Sequence, residues 1–166
     1  VIVGAIVAVN SFGSVVNPKT GELLGAYLGI GDEFSPLPLP SVLSAGDIQP
    51  PLPIGNTTIG VVATNLDLTK AQASKLAQMA QDGLARAINP AHTLFDGDTI
   101  FALATGEIPL ASLQEEAAWG SSPAALIRVG TAAANALTRA IVHAILQAET
   151  VGDIRCYRDC CHPNGG

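Results

Sequence analysis

The chain has 166 residues, 48% of them hydrophobic and 13% charged, with a formal net charge of -6. That length supports one compact domain, since a chain of about 150 residues buries roughly 70% of its unfolded surface, and the apolar content excludes a disordered polar chain. The eight Lys and Arg residues are scattered from Lys19 to Arg158 without a basic cluster, so no nucleic-acid partner is expected. The longest apolar run, residues 1–9, falls short of the ~18 to 20 residues that a membrane-crossing helix requires, so no membrane partner is expected either.

The sequence opens on Val1-Ile2-Val3-Gly4-Ala5-Ile6-Val7-Ala8-Val9 with no initiator Met and no charged leader. Its β-branched content predicts a buried strand already under way, which implies chain upstream. Asn10-Ser11-Phe12-Gly13 carries turn chemistry, and a weaker strand is expected to return through Val15 and Val16. A second turn at residues 17–21 leads to residues 22–28, read as a hairpin partner or a short extended piece. Residues 29–55 then hold six of the eleven prolines and almost no charge. Such a segment predicts an extended, polyproline-like linker that tethers or presents something.

From Thr57 the pattern is orderly. Residues 57–64 read as a core strand and residues 65–68 as the turn leaving it. Thr69 is a natural N-cap for a helix reaching about Ile88, with Leu76, Met79, Ala80 and Leu84 as its apolar stripe, and Asn89-Pro90 ends it. Asp96-Gly97-Asp98 is the turn before a second core strand at residues 99–105. Ser122-Pro123 sets a cap and a first-turn proline before a long Ala- and Leu-rich helix to about Glu149. The order predicts an α+β layered sheet with helices on one face. The three cysteines, Cys156, Cys160 and Cys161, all fall within the last eleven residues, which is not how a disulfide-stapled secreted domain distributes them; a cytoplasmic location follows as the expectation.

Three features carry candidate chemistry. At Gly55-Asn56-Thr57 the proline-rich leash runs straight into a strand that begins with a threonine. A cut between Asn56 and Thr57 would make Thr57 an N-terminal nucleophile, its hydroxyl served by its own α-amine, whose pKa of ~8 suits a general base near neutrality. The cut itself would proceed by attack of the Thr57 hydroxyl on the Asn56 carbonyl, giving an ester that water opens. By spacing alone, the plainer reading of Thr57 as the first residue of a strand is the stronger one. Asp96 and Asp98, at i and i+2, can point to one side of an extended chain and orient an ammonium or a hydroxyl, against the plainer reading of a solvated Asp-Gly turn. Asn10, ending the first strand, offers an amide to a developing oxyanion, against an ordinary turn Asn.

The remaining polar residues read as structural. His92 reads as a loop hydrogen-bonder and His143 as a helix-face residue, since neither has a partner at ligand spacing. The Cys156, Cys160, Cys161 and His162 cluster reads as an unstructured end rather than a metal site, and neither a metal nor a cofactor is expected.

Residues 55–65, beginning Gly55-Asn56-Thr57-Thr58-Ile59, resemble the start of the small subunit in the L-aminopeptidase/D-esterase (DmpA-like, peptidase family S58) self-cleaving hydrolases. The likeness is strongest to the branch of 6-aminohexanoate-oligomer hydrolases, whose subunit junction is also Asn-Thr-Thr. Residues 82–93, residues 96–102 and the strand at residues 4–10 resemble the family's other blocks in order and spacing. The resemblance implies that Thr57 is the nucleophile freed by autocleavage after Asn56, that Asn10 helps form an oxyanion hole, and that Asp96 and Asp98 orient the Thr57 amine and hydroxyl. It further implies an αββα sandwich of the DmpA/ornithine-acetyltransferase, N-terminal-nucleophile-like type, of which this chain is an incomplete C-terminal portion. Residues 1–56 would end a large subunit and residues 57–166 would form the small subunit with a tail from residue 152. The implied assembly is a homo-oligomer of processed heterodimers acting on small peptide or amide substrates.

Three functions remain open on the sequence. The leading one is an N-terminal-threonine amidohydrolase or aminopeptidase working through an acyl-enzyme. The second is an acyltransferase of the ornithine acetyltransferase type, against which the absence of a Met-Ala-Thr-Met segment before the junction counts. The third is an inactive truncated relative that keeps the fold without the chemistry.

Overall fold

The computed structural model describes residues 1–35, 55–113 and 121–161. The prolines at 36–53 and His162 lie outside the described residues. Three strands form one sheet in the order β1 (Val3–Asn10), β2 (Thr57–Asp67) and β3 (Thr99–Pro109). β1 runs antiparallel to β2, with Val3 opposite Thr64 and Asn10 opposite Thr57. β3 runs parallel to β2, with Ile59 opposite Thr99. The crossover from β2 to β3 is made by two helices, α1 (Lys70–Ala80) and α2 (Asp82–Ala87), as a parallel pair requires.

Alternation along the strands sorts the side chains into two faces. Val3, Ala5, Val7 and Val9 of β1 and Val62 and Leu66 of β2 join one core with Leu76, Ala80 and Leu84 from the crossover helices. The long helix α3 (Ser121–Gln147) contributes Ala125, Val129, Ala133, Leu137 and Ile141 to the same core. By length and composition its Pro123–Gln147 stretch is apolar enough to cross a membrane, a feature that counting uninterrupted apolar runs misses; in this fold its apolar stripe is taken up by the sheet and by α1 and α2.

The opposite face of the sheet carries apolar side chains with little covering them. Ile6, Val61 and Phe101 stand in one row across the three strands, with Ile59 and Leu103 in the rows beside it. Ile6 is 72% exposed and Phe101 55%.

Several expectations need correction. β2 does not turn at residues 65–68 but continues to Asp67, with Leu66 still on its buried face; the register shift against β3 between Thr64 and Leu66 is taken up by two extra residues of β3. β3 likewise extends to Pro109. The helix expected from Thr69 to Ile88 is two: Thr69 does cap α1, its hydroxyl accepting from Gln72 N–H while the Gln72 side chain accepts from Thr69 N–H, but the chain breaks at Gln81. There Leu84 N–H bonds Gln81 O at 3.0 Å, a tighter turn that rotates α2 onto α3, where the Thr138 hydroxyl donates to Gly83 O at 3.1 Å. Residues 14–28 form no paired strands. Val16 and Leu23 meet in a single bridge, and Ala26–Leu28 is a 3-10 turn.

The C-terminal end is not unstructured as far as Cys161. A short helix, α4 (Tyr157–Cys161), tucks Tyr157 and Cys161 against Leu23, Phe34 and Val142 in a second apolar cluster. The Tyr157 hydroxyl donates to Gly21 O at 3.0 Å, and burial holds its pKa well above the usual value.

Candidate active site

Antiparallel β1 and parallel β3 place three chain ends at one edge of the sheet: the end of β1, the start of β2 and the loop entering β3. Asn10, Thr57 and the Asp96-Gly97-Asp98 turn therefore converge, although they are far apart in sequence. Asn56 and Asp96 are bridged as a parallel extension of the β2–β3 pair.

The Asn56–Thr57 peptide bond lies at the centre. The Thr57 hydroxyl donates to the Asn56 carbonyl oxygen at 2.5 Å, so the nucleophile of the anticipated cut rests on the group it would attack. The same oxygen accepts the Gly97 backbone N–H at 3.0 Å. Asn56 is buried, 7% exposed, and Thr57 is half-buried. Gly97 is required by proximity: a Cβ there would stand 2.8 Å from Thr57 Oγ1, closer than such atoms approach. In the uncut chain Asn10 Nδ2 donates to Gly55 O at 2.7 Å. Gly55 itself has φ +91°, a left-handed backbone that a side chain would strain.

The two aspartates do different things in the uncut chain, and neither is hydrogen-bonded to Thr57. Asp96 accepts Phe12 N–H at 3.0 Å on one oxygen, and Thr93 N–H at 3.0 Å and the Thr93 hydroxyl at 2.6 Å on the other. Burial pushes its pKa up, but the Thr93 hydroxyl and the Phe12 and Thr93 amides outweigh that and hold the carboxyl below its usual range. Stacking of Phe12 on Phe95, with centroids 5.4 Å apart, reinforces the same link between the exit of β1 and the loop. Asp98 accepts Thr58 N–H at 2.9 Å through Oδ1, and Oδ2 lies 3.0 Å from His92 Nδ1. Asp98 is thus the carboxylate nearer the strand start, and Asp96 clamps the loop.

Sequence reasoning gave His92 only a loop role, and its partner turns out to be a candidate site residue. Its backbone is left-handed, φ 56°, which is uncommon for a side chain of this size. The signal available was its place in the 82–93 block beside Asn89-Pro90. Gly97 was read merely as the middle of a turn, because a backbone N–H leaves no mark in a one-letter sequence. His143, by contrast, is far from this edge, with Nε2 2.8 Å from Glu33, whose carboxylate also takes a two-pronged bond from Arg139. Among the described residues, no three His, Cys, Asp or Glu side chains gather as metal ligands would.

A family model for peptidase family S58 matches residues 1–156. The chain belongs to peptidase family S58. Among curated S58-like relatives, an uncharacterised aminopeptidase of Mycobacterium leprae is 46% identical over 158 residues, covering 93% of this chain and 43% of that protein. One of Mycobacterium tuberculosis is 41% identical over 168 aligned residues, covering 96% of this chain and 48% of its own length. A 6-aminohexanoate-oligomer endohydrolase of Kocuria is 32% identical over 107 residues, covering 64% of this chain and 30% of the relative. The chain therefore spans less than half the length of these relatives.

Proposed function

We propose that this chain is the junction-bearing portion of a self-processing N-terminal-threonine amidohydrolase. The observation that carries the reading is the Thr57 hydroxyl lying 2.5 Å from the Asn56 carbonyl oxygen, at the point where three strand ends meet. In the proposed cut, Thr57 Oγ1 bonds to the Asn56 carbonyl carbon and its proton passes to the departing Thr57 nitrogen as the C–N bond breaks. Water then opens the ester, leaving an Asn56 carboxylate and a Thr57 with a free hydroxyl and α-amine. In turnover the amine takes the hydroxyl proton as Oγ1 attacks a substrate amide carbonyl and passes it to the departing amine as the C–N bond breaks; the acyl-enzyme that remains is then hydrolysed by water, releasing the acid and restoring the Thr57 hydroxyl. Asn10 would steady the acyl side of the junction through the Gly55 carbonyl, Asp98 would orient the freed amine, and Asp96 would hold the loop.

The substrate class we assign is short peptides or linear amides with a free amine end, supported by the carboxylates at the site and by the names of the relatives. No cofactor is invoked. The half-open sheet supports the αββα arrangement: the exposed row of Ile6, Val61 and Phe101 is the kind of surface a second sheet from the rest of the longer protein would cover. We further assign a cytoplasmic homo-oligomer of cleaved chains, with support from the free thiols of Cys156, Cys160 and Cys161.

The test is the mass of the full-length product beside its Thr57→Ala variant. Wild type is expected to split between Asn56 and Thr57 while the variant stays whole, and the processed protein is expected to release amine-ended amides without an acyl acceptor. A wild-type chain that stays intact under native folding conditions overturns the reading.

A further inference from the structure

Resting on that reading, we infer that the Gly97 backbone N–H is the hydrogen-bond donor that stabilises the oxyanion formed at Asn56 during self-cleavage. The Asn56 carbonyl oxygen accepts the Thr57 hydroxyl at 2.5 Å and Gly97 N–H at 3.0 Å. They differ in fate. As Thr57 Oγ1 bonds to the carbonyl carbon it gives up its proton and ceases to donate to that oxygen, just when negative charge grows there. Gly97 N–H stays in place, at a distance that suits an oxyanion donor. The side-chain candidate, Asn10, is engaged with the Gly55 carbonyl one residue earlier.

The N–H is also held ready before any charge develops. Its neighbours on both sides are anchored: Asp96 by Phe12 N–H and Thr93, and Asp98 by Thr58 N–H. The donor is therefore fixed to the end of β1 and the start of β2 at once and needs no reorganisation during the reaction. The residue type follows from the same geometry. A Cβ at position 97 would meet Thr57 Oγ1 at 2.8 Å, so glycine alone lets the donor and the nucleophile approach one carbonyl together. This gives the two aspartates a shared purpose in the uncut chain: they flank and position the amide between them.

The decisive experiment replaces Gly97 by glycolic acid in the full-length protein, by nonsense suppression in a cell-free system, exchanging the N–H for an oxygen while adding no side chain; the one other change is that the Asp96 carbonyl becomes a weaker acceptor. Self-cleavage is followed by mass after synthesis, with circular dichroism to compare the folds. The expected result is a rate lowered about 100-fold against wild type. Cleavage at the wild-type rate overturns the inference and leaves the function reading intact, whereas a wild type that never cleaves overturns that reading itself. Hydrogen exchange in the uncut full-length Thr57→Ala protein gives a second measurement that needs no backbone change. The Gly97 amide is expected to exchange about 10-fold or more below its unfolded-chain rate, and exchange at the unfolded rate would equally overturn the inference.

Discussion

Asn10 stands directly opposite Thr57 in the β1–β2 ladder, and its side-chain amide reaches past that partner to the carbonyl of Gly55 at 2.7 Å. The last residue of one strand thereby holds Gly55, two residues before the partner it faces. Loss of an ordinary hydrogen bond of this kind is worth about 0.5–1.5 kcal/mol. Asn10→Ala is therefore expected to slow self-cleavage of the full-length protein roughly 2- to 10-fold, read from a time course on denaturing gels. Asn10→Asp, which sets a carboxylate oxygen against a carbonyl oxygen, is expected to be slower than Asn10→Ala; an Asp variant as fast as wild type would show that the contact does not position the junction.

Two threonines follow Asn56, and the structure treats them differently. Thr57 Oγ1 is hydrogen-bonded at the junction, while the fully buried Thr58 Oγ1 has no hydrogen-bond partner among the described residues. A buried unsatisfied hydroxyl costs about 1–3 kcal/mol, so Thr58→Val, which keeps the shape, is expected to raise stability by about 1 kcal/mol in denaturant titration and to leave cleavage in place. Loss of cleavage in Thr58→Val with an unchanged fold would move the nucleophile from Thr57 to Thr58.

The segment before the linker is pinned to α3 by Glu33. Two bonds from Arg139, at 2.7 and 2.8 Å, lead the effects on its carboxyl; burial opposes them, and Ile30 N–H and His143 add to them, lowering its pKa from 4.5 to about 2. A depressed carboxylate stabilises the fold above its unfolded value, and that contribution is lost as pH falls from about 4.5 toward 2. Glu33→Gln is expected to lower stability at neutral pH by about 1–3 kcal/mol and to flatten the acid limb of denaturation midpoint against pH. Asp96 and Asp159, lowered too, supply remaining slope. An unchanged acid limb would detach Glu33 from the stability of this segment.

Thiol labelling reads the C-terminal helix. Cys156 and Cys161 are buried, 8% and 7% exposed, while Cys160 is half-buried, and burial pushes the Cys161 thiol up against the opposing bond to Tyr157. Iodoacetamide is expected to modify Cys160 first in the native protein and all three alike in denaturant, as mass spectrometry of peptides would reveal. Equal native rates at Cys160 and Cys161 would mean that α4 is not docked.

Much of this site was legible in the sequence because its side chains sit in short blocks with a definite order: a strand ending in Asn10, a proline-rich leash, Asn56-Thr57, and Asp96-Gly97-Asp98. The strands carrying them are marked by β-branched runs, and Thr69 announced its helix as an N-cap residue. Other features had no such mark. The donor on the junction is a backbone amide, and the partner of Asn10 is a carbonyl, so both depend on strand register rather than residue type. The break at Gln81 follows from how α2 meets α3 through Thr138 and Gly83, a tertiary constraint that the periodicity of residues 69–88 does not contain. The order at Tyr157 arises from a contact with Gly21 at the far end of the chain, invisible to a local reading of a Gly- and Cys-rich tail.

The convergence of three strand ends on one peptide bond also makes that bond a reporter. Neither Asn10, Thr57 nor Gly97 is near the others until β1 has paired with β2 and the crossover has returned β3 to the parallel side. Under the proposed chemistry, a chain that mispairs its strands would keep an amide where the catalytic amine should be, and so would remain inert as well as whole. The nick would then act as a certificate of correct assembly, issued once and irreversibly, and the ratio of cut to uncut chains in a cell would measure how much of the protein had folded.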